Sequence, residues 1–356
     1  MISFHQNKLL QFIACSMLLL LLVACQAGRL ETIPTTQSIS PSISPSEQVS
    51  ALDPDTTASL SSLEKLDNYP FYVMHYYGTY DYPQTGAARS ESAGFSCSLF
   101  ASLGETGDML FGRNFDWEFS PALLLFTDPP DGYASVSMVD LTFLDIDPTS
   151  SLILDTLPFS ELTALLTAPS MPFDGMNEYG LAVGMAAIPD ESLDDASYEA
   201  SRPEIGSIGI IRQVLDHARD VDEAVEIFSQ YNIDFIGGPP IHYLLANPSG
   251  KAVLIEFYQG RMSVLPNENP WHLATNHLRI IAEGDGGCPR YHTLSDQLSK
   301  VNGKLNAQAA MHLLSEIKQD MTQWSTVYNM SNGDINVVIA GNYETSFSFH
   351  LNLLFP

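Results

Sequence analysis

At 356 residues the chain can bury one large core or two modest ones, and 45% hydrophobic against 16% charged residues is a globular composition. Its 42 acids against 15 bases give a net charge of -27. That argues against binding nucleic acid, which needs clustered Lys and Arg, and against electrostatic attraction to an anionic lipid surface.

The amino terminus reads as an address rather than as fold. Lys8 leads into "LLQFIACSMLLLLLVAC", an apolar run of signal-peptide length, so residues 1–24 are set aside as a leader. Leu22-Val23-Ala24-Cys25 resembles the bacterial lipobox, which implies acylation of Cys25 and an exported lipoprotein on the outer face of the cell membrane. A plain signal peptide or a retained membrane helix is the alternative. Residues 25–62, with "TTQSISPSISPSEQ", hold few large apolar groups and read as a flexible tether. Folded sequence is expected from Leu63 onward, first as an aromatic-rich segment, "YPFYVMHYYGTY", that ends before Cys97.

After Cys97, "CSLFASL" and "DMLFGRNFDW" flank Gly104-Glu105-Thr106-Gly107, a hairpin signal. "ALLLFTD" and "ASVSMVDL" are two more strands, "SSLILDTLPFSELTALLTA" looks helical, and "FDGMNEYGLAVGMAAI" reads as a turn feeding a strand. Ile211, Val214, Leu215 and Ala218 share a helical face, and Asp220 with Glu223 forms a capping-box signal for "VDEAVEIFSQY". A hairpin around Asn247-Pro248-Ser249-Gly250 follows, then a short strand in "PWHLATNHL" and two helices, "RYHTLSDQLSKV" and "AQAAMHLLSEIKQD". A closing hairpin ends the chain. Hairpin blocks separated by helix pairs predict an antiparallel α+β layered fold.

The chemistry turns on cysteine. Cys15 leaves with the leader and Cys25 takes the lipid, so only Cys97 and Cys288 remain. Either they pair with each other, or a thiol is kept for its reactivity. The plain reading of Cys97 is a buried strand residue. The hairpin alters that, because it brings Arg113 and Asp116 of "GRNFDW" onto the adjacent strand. His272 and His277 flank Asn276 and read either as pocket-lining residues or, more plainly, as satisfied strand histidines. With no HExxH, GxGxxG or P-loop pattern, neither a metal nor a cofactor is expected.

Cys97-Ser98, "GRNFDW", "FDGMNEYGLAV", "ATNHL" and "CPRYHTLSDQL" occur in this order. Together they resemble the cysteine N-terminal-nucleophile hydrolases, from about Phe71 to the carboxyl end. Within these the chain is similar to the choloylglycine hydrolase and penicillin V acylase group and to the isopenicillin-N acyltransferase-like linear-amide C–N hydrolases. The resemblance implies a four-layer αββα sandwich, a prosegment over 63–96 and a catalytic domain over 97–356. It implies cleavage between Ser96 and Cys97, after which the free α-amine of Cys97 serves as base for its own thiol. Arg113 and Asp116 would orient the thiol and the amine. Asn177 would donate to the oxyanion, Asn276 would face the cysteine, and Arg290 would supply positive charge. An Asn before Glu-Tyr-Gly is ordinarily a turn residue, and an Arg at a helix start is ordinarily solvated.

The long stretch between the lipobox and Cys97, and His277 after Asn276, depart from the bile-salt branch toward the linear-amide side. The expected function is an exported, self-processing cysteine amidase that hydrolyses small acyl amides through a thioester on Cys97. An acyltransferase and a catalytically silent, lipid-anchored binding protein are the alternatives. The implied partners are the acyl amide, the membrane through the anchor, and the prosegment as a retained subunit.

Overall fold

The structure, a computed structural model, describes residues 52–82, 96–104, 108–147, 149–188, 199–236, 238–282, 284 and 286–354. The leader, Cys25, most of the tether and the turn residues Glu105–Gly107 lie outside them. Among the described residues no helix is long and apolar enough to cross a membrane.

α1 (Pro54–Ser61) begins where Asp53 accepts from the Thr56 N–H and Pro54 fills the first turn. The tether expected to run to Ser62 therefore ends in a helix, whose Leu60 is buried. β1 (Glu64–Asp67) and β2 (Phe71–Tyr76) follow, both upstream of Cys97. β3 (Ser98–Ser102), β4 (Leu110–Asp116), β5 (Ala122–Thr127) and β6 (Ser135–Asp140) match the four predicted strands.

The segment read as a helix after β6 is instead a series of 3₁₀ turns, the longest over Thr163–Ser170. Pro158 and Pro169 each remove a backbone donor and interrupt the α ladder. The apolar side chains still find cover: Leu154, Leu162 and Leu165 pack on Tyr72, Met74, Leu123 and Leu125.

β7 (Asp174–Asn177) and β8 (Ala182–Ala187) form a hairpin, followed by β9 (Glu204–Gly206), α2 (Gly209–His217), α3 (Val221–Gln230) and β10 (Asn232–Asp234). Asp220 caps α3 as expected, but Glu223 turns to the Arg219 N–H rather than closing the box on Asp220. β11 (Ile241–Ala246), β12 (Ala252–Tyr258), β13 (Arg261–Pro266) and β14 (Trp271–Ala274) precede α4 (Pro289–Lys300) and α5 (Ala307–Glu316). The chain closes with β15 (Thr322–Asn329), β16 (Asp334–Ile339) and β17 (Phe347–His350).

These strands make a nine-stranded sheet, ordered β1-β2-β5-β6-β7-β8-β11-β12-β13, and a six-stranded sheet, ordered β14-β3-β4-β15-β16-β17. α2 packs outside the first sheet and α4 and α5 outside the second, giving the expected αββα layering. Every neighbouring pair in these two sheets is antiparallel except β2 with β5. Gly184 sets their separation, because a Cβ there would lie 2.6 Å from Leu99 Cδ2 of the facing sheet. Strand alternation then decides which residues meet between the sheets and which meet the helices.

Candidate active site

Cys97 sits immediately before β3, 2% exposed, in the core between the sheets. The β3–β4 register pairs Leu99 with Arg113, so Arg113 shares the inner face with the cysteine. Its Nη2 lies 3.9 Å from Cys97 Sγ. The same guanidinium is held from the other sheet, where Nη1 donates to the Phe173 carbonyl and to Asp174 Oδ2 at 2.7 Å. Asp174 also accepts from Trp324 Nε1, Thr326 Oγ1 and Tyr328 OH, all on β15. Burial, and after it Asp174, push the Tyr328 phenol far above its ordinary range, so it stays a donor.

Asp116 ends β4, with Oδ1 accepting from Thr322 Oγ1 and Oδ2 buried without a hydrogen-bond partner among the described residues. Burial raises its carboxyl to about 6, against the pull of Thr322, Arg290 and Arg113. The folded uncut chain therefore holds this proton more tightly than the unfolded chain does. As pH rises from about 4 to 6 the folded state has more proton to lose, and stability falls. Uncleavable Cys97→Ala protein is expected to melt higher at pH 5 than at pH 7 from this group. Chemical denaturation of Cys97→Ala with and without Asp116→Asn isolates the contribution, which the Asn variant should lack.

Arg290 arrives from the first turn of α4. Its Nη1 donates to the Ser96 carbonyl at 2.6 Å, to the Cys97 carbonyl and to Ser98 Oγ, and Nη2 donates to Asn276 Oδ1 at 3.0 Å. Asn276, just past β14, uses Nδ2 on the Ala187 carbonyl of the opposite sheet. Cys97, Arg113, Asp116, Asn276 and Arg290 are thus brought together around the Ser96–Cys97 bond.

Asn177 is not among them, which corrects the oxyanion role expected for it. Gly175, two residues earlier on β7, faces Leu215 of α2, and Asn177 shares that outward face. Its Nδ2 donates to the carbonyls of Leu215 and Ala218, and its Oδ1 accepts from Tyr179 N and Leu181 N. It is a fully used turn residue that ties β7 to the end of α2. Asp174, three residues earlier, has the inward position, and it is the residue that sequence reasoning missed. A lone carboxylate in an apolar strand segment was the available signal.

Cys97 and Cys288 are both free thiols. Burial pushes the Cys97 thiol up, with Arg113 opposing and Asp116 adding to the rise. Cys288, half-buried as the N-cap of α4, behaves oppositely: burial resists, but hydrogen bonds from His277 and Thr275 bring it to about 6. The more acidic thiol is therefore not the one inside the constellation, and Cys97 needs a base before it can attack. His272 bonds the Leu265 carbonyl, as expected for a satisfied strand histidine. Among the described residues no His, Cys, Asp and Glu cluster could hold a metal.

The same fold appears in solved structures. A variant of the conjugated bile acid hydrolase from Clostridium perfringens superposes with a TM-score of 0.54 at 18% identity, covering 72% of this chain and 92% of that one. A second variant of that hydrolase gives 0.53 at 17%. Penicillin V acylase from Agrobacterium tumefaciens gives 0.46 at 15%, covering 72% of this chain and 86% of that one. No curated protein matches the chain by sequence. The family model described as acyl-coenzyme A:6-aminopenicillanic acid acyl-transferase matches residues 102–339, which hold Arg113, Asp116, Asp174, Asn276 and Arg290 and begin just after Cys97. With this αββα fold and a match over most of its length, the chain belongs to the acyl-coenzyme A:6-aminopenicillanic acid acyl-transferase family.

Proposed function

We propose that this chain is an exported, self-processing cysteine amidase that cleaves linear amide bonds of acylated small molecules through a thioester on Cys97. One observation carries the reading: the Ser96–Cys97 bond lies between two guanidiniums. Arg113 approaches the sulfur at 3.9 Å, and Arg290 donates to the Ser96 carbonyl oxygen at 2.6 Å.

In self-processing, Sγ adds to the Ser96 carbonyl carbon, and the oxygen that gains charge is the one on which Arg290 already donates. The C–N bond breaks, the thiol proton ends on the freed Cys97 nitrogen, and water hydrolyses the resulting thioester. Ser96 keeps a carboxylate and Cys97 regains its thiol beside a new α-amine. That amine, with an ordinary pKa of about 7.7–8.0, is the base the buried thiol lacked. Oδ2 of Asp116, which has no hydrogen-bond partner among the described residues, is an acceptor suited to the protonated amine. In turnover the amine takes the thiol proton and passes it to the leaving amine of the substrate, and water resolves the acyl thioester.

The family's description supports a second reading, in which an amine rather than water takes the acyl group. Product partition with added amine separates the two. On either reading the leader directs export, Cys25 carries the lipid, and the cut prosegment stays bound. β2 lies between β1 and β5 in the large sheet, with Phe71, Tyr72 and Met74 fully buried, which favours retention.

Mass spectrometry of the purified protein is expected to find an amino terminus at Cys97, with the upstream fragment co-eluting in size exclusion. A screen of penicillin V, conjugated bile acids, acyl-homoserine lactones and N-acyl amino acids then identifies the acyl group. An intact chain without turnover in that screen overturns the proposal.

A further inference from the structure

Two ionisable groups outside this constellation are wholly buried where side chains alternate into the space between the sheets. The register of β11 with β12, Tyr243 opposite Ile255, puts His242 opposite Glu256, and both are 0% exposed. Their strand neighbours Ile241, Tyr243, Ile255 and Phe257 are apolar core. Packing alone would accept apolar residues here, and replacing buried polar or charged partners with well-packed apolar groups is often neutral or stabilising. The pair therefore calls for a role beyond filling the core.

Its hydrogen bonds show where that role lies. His242 Nδ1 lies 3.0 Å from Glu256 Oε1, and Nε2 lies 2.6 Å from the Thr275 carbonyl oxygen. The ring thus bridges the Glu256 carboxyl and the Thr275 backbone, with each of its nitrogens used. Glu256 in turn accepts from the backbone N–H of Arg279 at 2.7 Å and of Ile280 at 2.8 Å. Burial would raise its carboxyl, but His242 and these two N–H groups hold it below its ordinary range.

Among the described residues, every outside partner of the pair's side chains is thus backbone of one segment, Thr275 to Ile280, where the chain leaves the edge strand β14 of the six-stranded sheet. Asn276 lies inside that segment. Its Oδ1 takes the Arg290 guanidinium that reaches Ser96 and Cys97. A loop attached to one sheet is in this way fixed to the facing sheet on both sides of its functional residue.

We infer that His242 and Glu256 are positioning residues, an inter-sheet brace that holds Asn276, and through it Arg290, at the reacting carbonyl. The inference rests on the proposed role of Cys97 and Arg290. It assigns the pair no contact with substrate. A group held through another by a rigid frame affects rate strongly, since a misplacement of about 1 Å can cost about a hundredfold.

Glu256→Gln tests this with little change of shape, because it sets an amide donor against a backbone donor. His242→Gln is the milder companion, since it keeps a donor able to reach the Thr275 carbonyl. Four quantities are compared with wild type: melting temperature, hydrogen exchange of the Arg279 and Ile280 amides, alkylation of Cys97 by iodoacetamide, and turnover of the decanoyl amide of 7-amino-4-methylcoumarin.

For Glu256→Gln, exchange at those two amides is expected to quicken about tenfold. kcat should fall about ten- to a hundredfold with KM nearly unchanged. Alkylation should persist, since Arg113 and not the brace serves the thiol. His242→Gln should fall between the two. Unchanged kcat, or unchanged exchange, overturns the brace. So does a loss of rate that only tracks the fraction unfolded. A wild-type chain that is neither cut nor active overturns the amidase reading instead, and the exchange measurement still decides whether the loop is braced.

Discussion

The Cys97→Ala protein is expected to accumulate as one uncut chain and to lose amide turnover by about 10³-fold or more, the scale on which removal of a nucleophile acts. The two losses share a cause. Without Sγ nothing attacks the Ser96 carbonyl, and without that cut no α-amine forms. Cys97→Ser separates them, because a hydroxyl can attack the same carbonyl but is a far weaker nucleophile near neutral pH. Slow cutting with very low turnover is expected there. Mass spectrometry gives the cut and product chromatography the turnover. Full activity in the alanine variant would contradict the assignment of Cys97. The fold should survive, since the substitution removes a single buried sulfur.

The second large effect belongs to Asp174. Replacing it with Ala strands the fully buried Arg113 guanidinium and removes the acceptor of Trp324, Thr326 and Tyr328. Breaking one side of a buried ion pair typically costs about 3–5 kcal/mol. Loss of stability on that scale is expected in denaturant unfolding of Asp174→Ala, measured in the Cys97→Ala background so that both chains stay uncut. Asp174→Asn keeps the shape but sets an amide N–H₂ against Arg113, and it should slow self-cleavage by turning Nη2 away from the sulfur. Arg113→Lys tests the same geometry from the other partner. An ammonium cannot hold the Phe173 carbonyl, Asp174 and the thiol in one plane, so it should not restore the rate.

Much of this site could be read from sequence, for identifiable reasons. A turn-flanked pair of strands fixed β3 against β4, and Arg113 and Asp116 had to follow Cys97 onto the neighbouring strand. "CPRYHTLSDQL" carried a helix start, and its Arg reaches the nucleophile's backbone. Asn177 failed because a motif gives order but not facing. Asp174 and Asn177 are an odd number of residues apart on one strand, so they point to opposite sides, and only knowledge of which side meets the second sheet picks the right one. The 3₁₀ run after β6 was misread because its apolar content satisfies a helical pattern while Pro158 and Pro169 interrupt the ladder. His242 and Glu256 gave no signal at all, because their meaning lies in a register between strands and in backbone groups of a third segment.

The parallel pairing of β2 with β5 has a consequence for the history of the molecule. These strands lie on either side of the proposed cut, so the instructions for building the large sheet are complete only while the chain is whole. After the cut, two pieces share one core without a covalent memory of each other. A mature molecule that melts would then have to reassemble from two solutes, and its lifetime would be set by how fast it opens rather than by an equilibrium it can revisit.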